Sequence, residues 1–267
     1  MSETENKVVL FADMLGFASL TESHPLDVDR LRAHDRFISY IDNYLGTPEN
    51  PLTDKFFRFH NGLKNATSIA NMRHPLTAIS FSDSAFIATT HLHEVVAIAA
   101  DLLRYVISSG VPVRAGIAYG SFATLRFKSD ITSDGGDHSV QFLGTAVVRA
   151  TVAEKCGIKG FRILLHPSVA PLLNDPRHNP PSGKDSIRIL ACADGESNKA
   201  GVQHEVDYWD FPITREASAW RSLQDMWDRT PLSEQNHYEA TAGAIDRMRI
   251  GRGRAPLDKL RRRTLPK

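Results

Sequence analysis

The chain has 267 residues, which is long enough to bury a sizeable core as one large domain or as one domain with an appendage. Its 32 Lys and Arg residues balance 31 Asp and Glu residues, so a net charge of +1 excludes a general attraction to nucleic acid or to an anionic membrane. The two cysteines lack the spacing of a zinc or redox motif. Because no signal peptide and no apolar run of ~20 residues is evident, we expect a cytoplasmic protein without a membrane span.

The first part of the chain predicts a strand, two helices and a hairpin. A short run of β-branched and apolar residues is typical of a buried strand, and Asp13 stands at its end. Two apolar runs meet at the turn-forming residues Ser82, Asp83 and Ser84, which favours a hairpin with Asp83 at its tip. The predicted elements are a strand over 7–12, helices over 26–45 and 53–72, and the hairpin over 76–90.

The rest of the chain continues with alternating helices and short strands. We predict helices over 93–109, 144–155, 216–227 and 233–248, and strands over 113–121, 140–143, 161–165, 186–190 and 206–209. This order indicates an α+β fold, in which helices pack on one face of a mostly antiparallel sheet.

Asp13 and Asp83 are the residues whose positions suggest chemistry. A strand end and a hairpin tip converge if the two elements are neighbours in one sheet, and two carboxylates can then bridge Mg²⁺ or Mn²⁺. Two such ions suit phosphoryl chemistry, because one activates an attacking hydroxyl and the other stabilises the departing oxygen. An aspartate that merely caps a turn is the alternative for each position.

Four segments in register resemble the class III adenylate and guanylate cyclases. Phe11–Phe17 (FADMLGF) is similar to the FxDMxGF signature of that family, and Ser82-Asp83-Ser84 corresponds to its Gly-Asp-Ala hairpin. Val113–Ile117 resembles the family's Arg-x-Gly-Ile strand, and Gly144–Glu154 its glycine-led helix that ends in Glu. The resemblance spans residues 7–165 and implies a class III cyclase-like catalytic domain over 1–185, followed by a C-terminal extension of late strands and helices over 186–267.

This resemblance also implies a reaction and its parts. Asp13 and Asp83 would bind two divalent ions, Mn²⁺ or Mg²⁺, with the Met14 carbonyl as a further ligand. The backbone N–H groups of Leu15, Gly16 and Phe17 would cradle the phosphates of a nucleoside triphosphate at a helix start. The ribose 3′-hydroxyl would then attack the α-phosphate and expel pyrophosphate, in active sites formed between the two chains of a homodimer.

The sequence departs from the family on the helix that follows Gly144. The positions of the expected asparagine and of the arginine that stabilises the transition state hold Val148 and Val152. Arg149 lies one turn before Val152 and is our candidate for the missing arginine. Arg114 is the competing candidate, although a strand arginine at its position commonly pairs with an acid.

The residues that recognise purines in the family are also replaced. Ile79 stands where a lysine is expected and Gln141 where an acidic or smaller residue is expected, and Phe57, Arg58 and Tyr119 can shape a small pocket. This departure resembles the pyrimidine cyclases of the bacterial Pycsar antiphage systems. It implies a uridylate cyclase that makes cyclic UMP from UTP in antiphage defence, and a separate effector that senses the cyclic UMP. A cytidylate cyclase stays open, because the Gln141 amide can hydrogen-bond either uracil or cytosine.

Two other interpretations of the chain stay open. The missing asparagine and arginine favour a degenerate cyclase-homology domain that binds nucleotide without turnover, and an adenylate cyclase with an altered base pocket is the second. His91 and His93 have a spacing that a metal can use, but the sequence shows no third ligand beside them. We interpret the arginines over 249–253 and 261–263 as a solvated terminus without a role in nucleic-acid binding.

Overall fold

A computed structural model describes residues 5–24, 51–71, 75–128, 138–180, 187–193 and 198–260. The helix expected over 26–45 and the arginines over 261–263 lie outside these residues. The described part contains eight strands and seven helices, which confirms the α+β fold. Within it, no helix is long and apolar enough to cross a bilayer.

Most elements follow the predicted order, with shifts of a few residues at their ends, but the strand predicted over 113–121 continues to residue 128 and the short helix Ala170–Leu173 was not predicted. The strands are β1 (Glu5–Met14), β2 (Thr77–Ser80), β3 (Ser84–Thr89), β4 (Val113–Lys128), β5 (His138–Leu143), β6 (Ile163–Leu165), β7 (Ile189–Ala191) and β8 (His204–Val206). The helices are α1 (Phe17–Ser23), α2 (Pro51–Asn71), α3 (Leu92–Ser108), α4 (Thr145–Glu154), α5 (Ala170–Leu173), α6 (Ile213–Arg229) and α7 (Gln235–Ile250).

The eight strands form one mostly antiparallel sheet. Its order is β2-β3-β1-β4-β6-β8-β7, with β5 paired to the far end of β4. The pairing of β4 with β6 is parallel, and the other pairings are antiparallel. The late strands β7 and β8 therefore extend the same sheet that contains β1, whereas a domain boundary between residues 185 and 186 stays a prediction.

Helices cover both faces of this sheet, so the prediction of helices on one face was wrong. Alternate residues of β1 point to opposite sides of the sheet. Val8 and Leu10 belong to the main core, together with α2, α3, α6 and α7. Val9 and Phe11 belong to a second cluster with Ala146 and Ala150 of α4, whose small side chains let that helix approach closely.

The C-terminal helices are fastened to the sheet by buried ion pairs. Glu205 of β8 is fully buried and accepts hydrogen bonds from Arg162 Nε at 2.5 Å and Arg247 Nη2 at 2.9 Å. Arg252 donates to Asp207 at 2.9 Å, and Arg249 pairs with Glu216. The interpretation of the arginines over 249–253 as a solvated terminus was therefore wrong, because they form ion pairs with the folded domain. The sequence did not show these pairs, since the acidic partners lie at distant positions.

Candidate active site

The hairpin and the central strand bring Asp13 and Asp83 together. β1 pairs with β3 so that Asp13 lies opposite Ser84. The Met14 N–H donates to the Asp83 carbonyl oxygen at 2.8 Å, which fixes the hairpin tip beside the end of β1. By strand alternation, the Asp13 side chain lies on the same face of the sheet as Phe11, the face that α4 covers.

The Asp13 carboxyl is half-buried among other acids. Burial raises its pKa to about 6, and the negative charges of Glu154 and Asp83 act in the same direction. The cations Lys155 and Arg114 oppose this shift without cancelling it. Burial and the neighbouring negative charges therefore destabilise ionised Asp13, and a bound cation would relieve this effect.

These residues fit a divalent ion by their chemistry. Asp13 and Asp83 offer hard carboxylate oxygens, which Mg²⁺ and Mn²⁺ prefer, and the Met14 carbonyl is the further oxygen donor expected from the resemblance. Among the described residues, no group of three or more His, Cys, Asp or Glu side chains is arranged to hold a metal ion. A divalent ion held by Asp13 and Asp83 would therefore need further ligands from substrate and water.

The loop after β1 has the geometry of a tight strand-to-helix turn. Gly16 has a φ of 75°, which only glycine adopts readily, and α1 begins directly after it at Phe17. The Leu15 N–H donates to the Pro112 carbonyl oxygen at 2.9 Å. Of the three amides expected to cradle phosphate, that of Leu15 is therefore engaged, which leaves the role to Gly16 and Phe17.

A cleft of about 840 Å³ lies beside this loop. Leu15, Gly16 and Arg58 line it, together with residues from α2 and from the C-terminal helices. Arg58 donates to Asp54 at 2.6 Å and to the Ser109 carbonyl oxygen at 2.9 Å. Asp13 and Asp83 are not among the lining residues, so Arg58 and the carboxylate pair are not brought into one pocket.

The other predicted pocket residues are spread over three elements. Phe57 lies on α2, half-buried, with its ring edge against Phe56 at a centroid distance of 5.7 Å. Ile79 of β2 is half-buried and pairs with Phe86 of β3. The backbone of Gln141 belongs to β5, whereas its side chain lies outside the described residues.

Arg114 is held by a buried acid that the sequence analysis did not single out as a site residue. Its Nε donates to Glu154 Oε1 at 2.7 Å, and its Nη1 donates to the Ile158 carbonyl oxygen at 3.3 Å. The Glu154 side chain is fully buried at the end of α4. The sequence did contain a signal for Glu154, because the segment Gly144–Glu154 resembles a glycine-led helix that ends in Glu.

Arg149 packs against its own chain. Its Nη1 donates to the Tyr119 carbonyl oxygen at 3.0 Å, and its charge helps to lower the pKa of His166, for which burial is the main cause. Val148 and Val152 instead form the outer face of α4, where they are 63% and 42% exposed. Arg149 is therefore not presented on the same face as the residues that replace the family's asparagine and arginine.

Comparisons with known proteins find likeness only among solved structures. No protein-family model and no curated protein matches the chain. A bacterial light-regulated adenylyl cyclase is 13% identical over 84% of this chain and 58% of that chain, less than two thirds of its length, with a TM-score of 0.48. The guanylyl cyclase Cya2 is 14% identical over 79% of this chain and 96% of that chain, with a TM-score of 0.44. Because these TM-scores are below 0.5, the function proposed below depends on the chain's own residues.

Proposed function

We propose that this protein is a nucleotide cyclase that converts UTP to 3′,5′-cyclic UMP and pyrophosphate. The observation that carries the proposal is the approach of Asp13, near the end of β1, and Asp83, in the turn directly before β3, fixed by the Met14 N–H bond to the Asp83 carbonyl. The raised pKa of Asp13 supports a site that awaits cations, since a structural carboxylate would be paired with a base.

The carboxylates of Asp13 and Asp83 would hold two divalent ions, with the Met14 carbonyl as a further donor. When bound, such ions would lower the pKa of the ribose 3′-hydroxyl and place positive charge beside the phosphates. In the reaction the 3′-hydroxyl gives its proton to water, and its oxygen forms a bond to the α-phosphorus. The bond from that phosphorus to the bridging oxygen breaks, and pyrophosphate leaves with the electron pair.

The chain's own groups bind the triphosphate and stabilise its transition state. The Gly16 and Phe17 amides are at the start of α1, where backbone N–H groups attract anions. Arg149 is the better candidate for the cationic helper, because the described acceptor of its Nη1 is the neutral Tyr119 carbonyl oxygen and not a carboxylate. Arg114 would have to leave the buried Glu154 carboxylate uncompensated.

An exposed apolar surface supports a homodimer. Phe81 at the hairpin, Leu143 at the end of β5, and Val148 and Val152 on α4 are 42–63% exposed. Large apolar side chains that lie together on a surface are typical of an association site. Phe81 lies two residues before Asp83, so a partner chain that covers this side chain could complete the site.

The choice of UTP follows from what the chain lacks. Ile79 offers an apolar side chain where purine cyclases carry a lysine, and Gln141 can hydrogen-bond either pyrimidine. CTP is the alternative substrate, and a role in antiphage signalling through a separate effector is part of the same proposal. The exposed Val148 and Val152 favour a second candidate function, a domain that binds nucleotide without turning it over.

Pyrophosphate release from UTP tests the proposal. We expect release by the wild type with Mn²⁺, none in excess chelator, and none from Asp13→Ala or Asp83→Ala. Asp101→Ala is the matched control and should keep wild-type release, because that acid lies on α3, pairs with Arg104 and does not line the cleft beside Gly16. If Asp13→Ala and Asp83→Ala retain full turnover, the two-carboxylate site is not the catalytic site; nucleotide binding without any release supports the non-catalytic candidate.

A further inference from the structure

Three histidines from two distant segments meet on the edge of the molecule beside α3. His91 is the residue before the helix, and His93 lies in its first turn. His178 lies in the turn after α5, and its carbonyl oxygen accepts a hydrogen bond from the His93 N–H at 3.0 Å. The fold thus supplies a third histidine that is not adjacent to the other two in sequence.

The His91 ring lies from each of the other two rings at the spacing of two ligands of one ion. The centroid of the His91 ring lies 5.5 Å from that of His93 and 5.6 Å from that of His178. Imidazoles that bind one tetrahedral ion through nitrogens at about 2.0–2.1 Å have ring centroids roughly 5 Å apart. Ordinary packing of apolar side chains does not require three imidazoles at this spacing.

Two of these rings contain buried nitrogens without a partner. Among the described residues, neither His93 Nδ1 nor His178 Nδ1 has a hydrogen-bond partner, although both atoms are inaccessible to solvent. Such atoms are rare, because a buried polar atom without a partner destabilises the folded state.

We propose that His91, His93 and His178 bind one late first-row transition-metal ion such as Zn²⁺, with the fourth position left to water or another donor. As placed, the described side chains are not arranged to hold a metal ion, so the rings must rotate to close around it. Rotation between staggered rotamers is far less costly than the free energy that zinc coordination supplies. Imidazole nitrogens select such an ion over the Mg²⁺ or Mn²⁺ that carboxylates prefer.

The surroundings hold the three rings in reach of one another. Asn179, next to His178, donates to the Leu173 carbonyl oxygen at 2.9 Å and accepts from the Ile187 N–H at 3.1 Å, so the turn is tied on both sides. The His91 N–H donates to Thr89 Oγ1 at 3.2 Å. An ion here would fasten this turn to the start of α3, and the inference does not depend on the proposed cyclase activity.

Equilibrium dialysis with Zn²⁺ tests the site. The full chain without a polyhistidine tag should carry Asp13→Asn and Asp83→Asn, so that the carboxylate pair does not compete. We expect one Zn²⁺ per chain, and an affinity for Zn²⁺ that falls about 100-fold or more in His178→Gln and in His93→Ala. His204 is an exposed histidine of β8, so His204→Gln should leave the affinity unchanged. Circular dichroism identifies variants that fail to fold, and the two trio variants provide independent tests.

X-ray absorption on the zinc-loaded chain reports the ligands directly. We expect a nitrogen and oxygen shell at about 2.0–2.1 Å with the outer-shell signature of imidazole. The proposal is overturned if the chain takes up no Zn²⁺, if His178→Gln and His93→Ala fold and bind Zn²⁺ as tightly as their parent, or if the spectrum lacks the imidazole signature.

Discussion

The guanidinium of Arg114 and the buried carboxylate of Glu154 form an ion pair, with Nε and Oε1 2.7 Å apart. Arg114 lies opposite Asp13 in the sheet, but its charge lowers the pKa of Asp13 less than that of Lys155 does. Because Glu154 engages it, the arginine stabilises the contact between α4 and β4 instead of compensating Asp13 fully. Burial is the main cause of the raised pKa of Asp13, and the negative charge of Glu154 adds to it.

Asp13→Asn should stabilise the metal-free protein while it abolishes turnover. A carboxyl whose pKa rises from 3.8 to about 6 on folding binds its proton more tightly in the folded state, so stability falls as pH rises between these values. Above about pH 6 the ionised group costs roughly 1–2 kcal/mol after allowance for its partial exposure. In urea unfolding at pH 7.5 with chelator, the free energy of unfolding of Asp13→Asn should exceed that of the wild type by this amount. At pH 4 the two free energies should be nearly equal. A stability gain of the same size at pH 4 would contradict the assigned cause.

Gly116→Ala should separate α4 from the sheet. A Cβ at Gly116 would meet the Ala150 carbonyl oxygen and lie 2.6 Å from the Glu154 backbone nitrogen. Since backbone atoms cannot rotate away, we expect destabilisation of at least about 1–3 kcal/mol. Gly243→Ala is the matched control: a Cβ there meets nothing within 4 Å, and alanine in helix α7 should stabilise by about 0.5–1 kcal/mol. Equal effects of the two substitutions on urea unfolding would disprove the packing argument.

Glu205→Ala should destabilise the fold strongly. It removes the partner of both Arg162 and Arg247, and the Arg162 side chain is fully buried. An uncompensated buried charge typically costs about 3–5 kcal/mol. Arg177→Ala, which removes an arginine that is 80% exposed, should change the free energy of unfolding by less than about 1 kcal/mol. A loss below 1 kcal/mol for Glu205→Ala would show that the network does not fasten the C-terminal helices.

Mixing inactive variants tests whether Arg149 acts on the partner chain. Equal amounts of Asp13→Ala and Arg149→Ala chains, allowed to exchange, should regain about one quarter of wild-type activity, because half of the dimers carry one intact composite site of two. Each variant alone should stay inactive. Sedimentation should give twice the chain mass for each. With exchange verified, an inactive mixture would rule out Arg149 in the partner's site.

Local sequence was sufficient for the hairpin and for the strand that precedes Gly16. Ser82-Asp83-Ser84 between two apolar runs has one strong interpretation, and the hairpin tip lies where that interpretation predicts. The small residues Ala146, Ala150 and Ala153 also mark the buried side of α4, although they do not tell which face of the sheet it covers.

Long-range contacts could not be predicted in this way. The orientation of Arg149 depends on a carbonyl in β4, and the pairing of Arg252 with Asp207 depends on the position of α7 against the sheet. His178 reaches His91 only because the chain after β6 turns back to α3. Each contact joins segments whose separation is set by the whole fold, so no local pattern of residues encodes it.

The product of the reaction tests the central claim most directly. The purified chain should be incubated with Mn²⁺ and equal amounts of ATP, GTP, CTP and UTP, and the products identified by mass spectrometry. We expect mainly cyclic UMP, with cyclic CMP the next product, because a buried base edge that leaves a polar group unpaired is strongly rejected. An Asp13→Ala chain should yield no cyclic product. Predominant cyclic AMP or cyclic GMP would contradict the pyrimidine specificity, and the absence of every cyclic nucleotide would contradict cyclase activity itself.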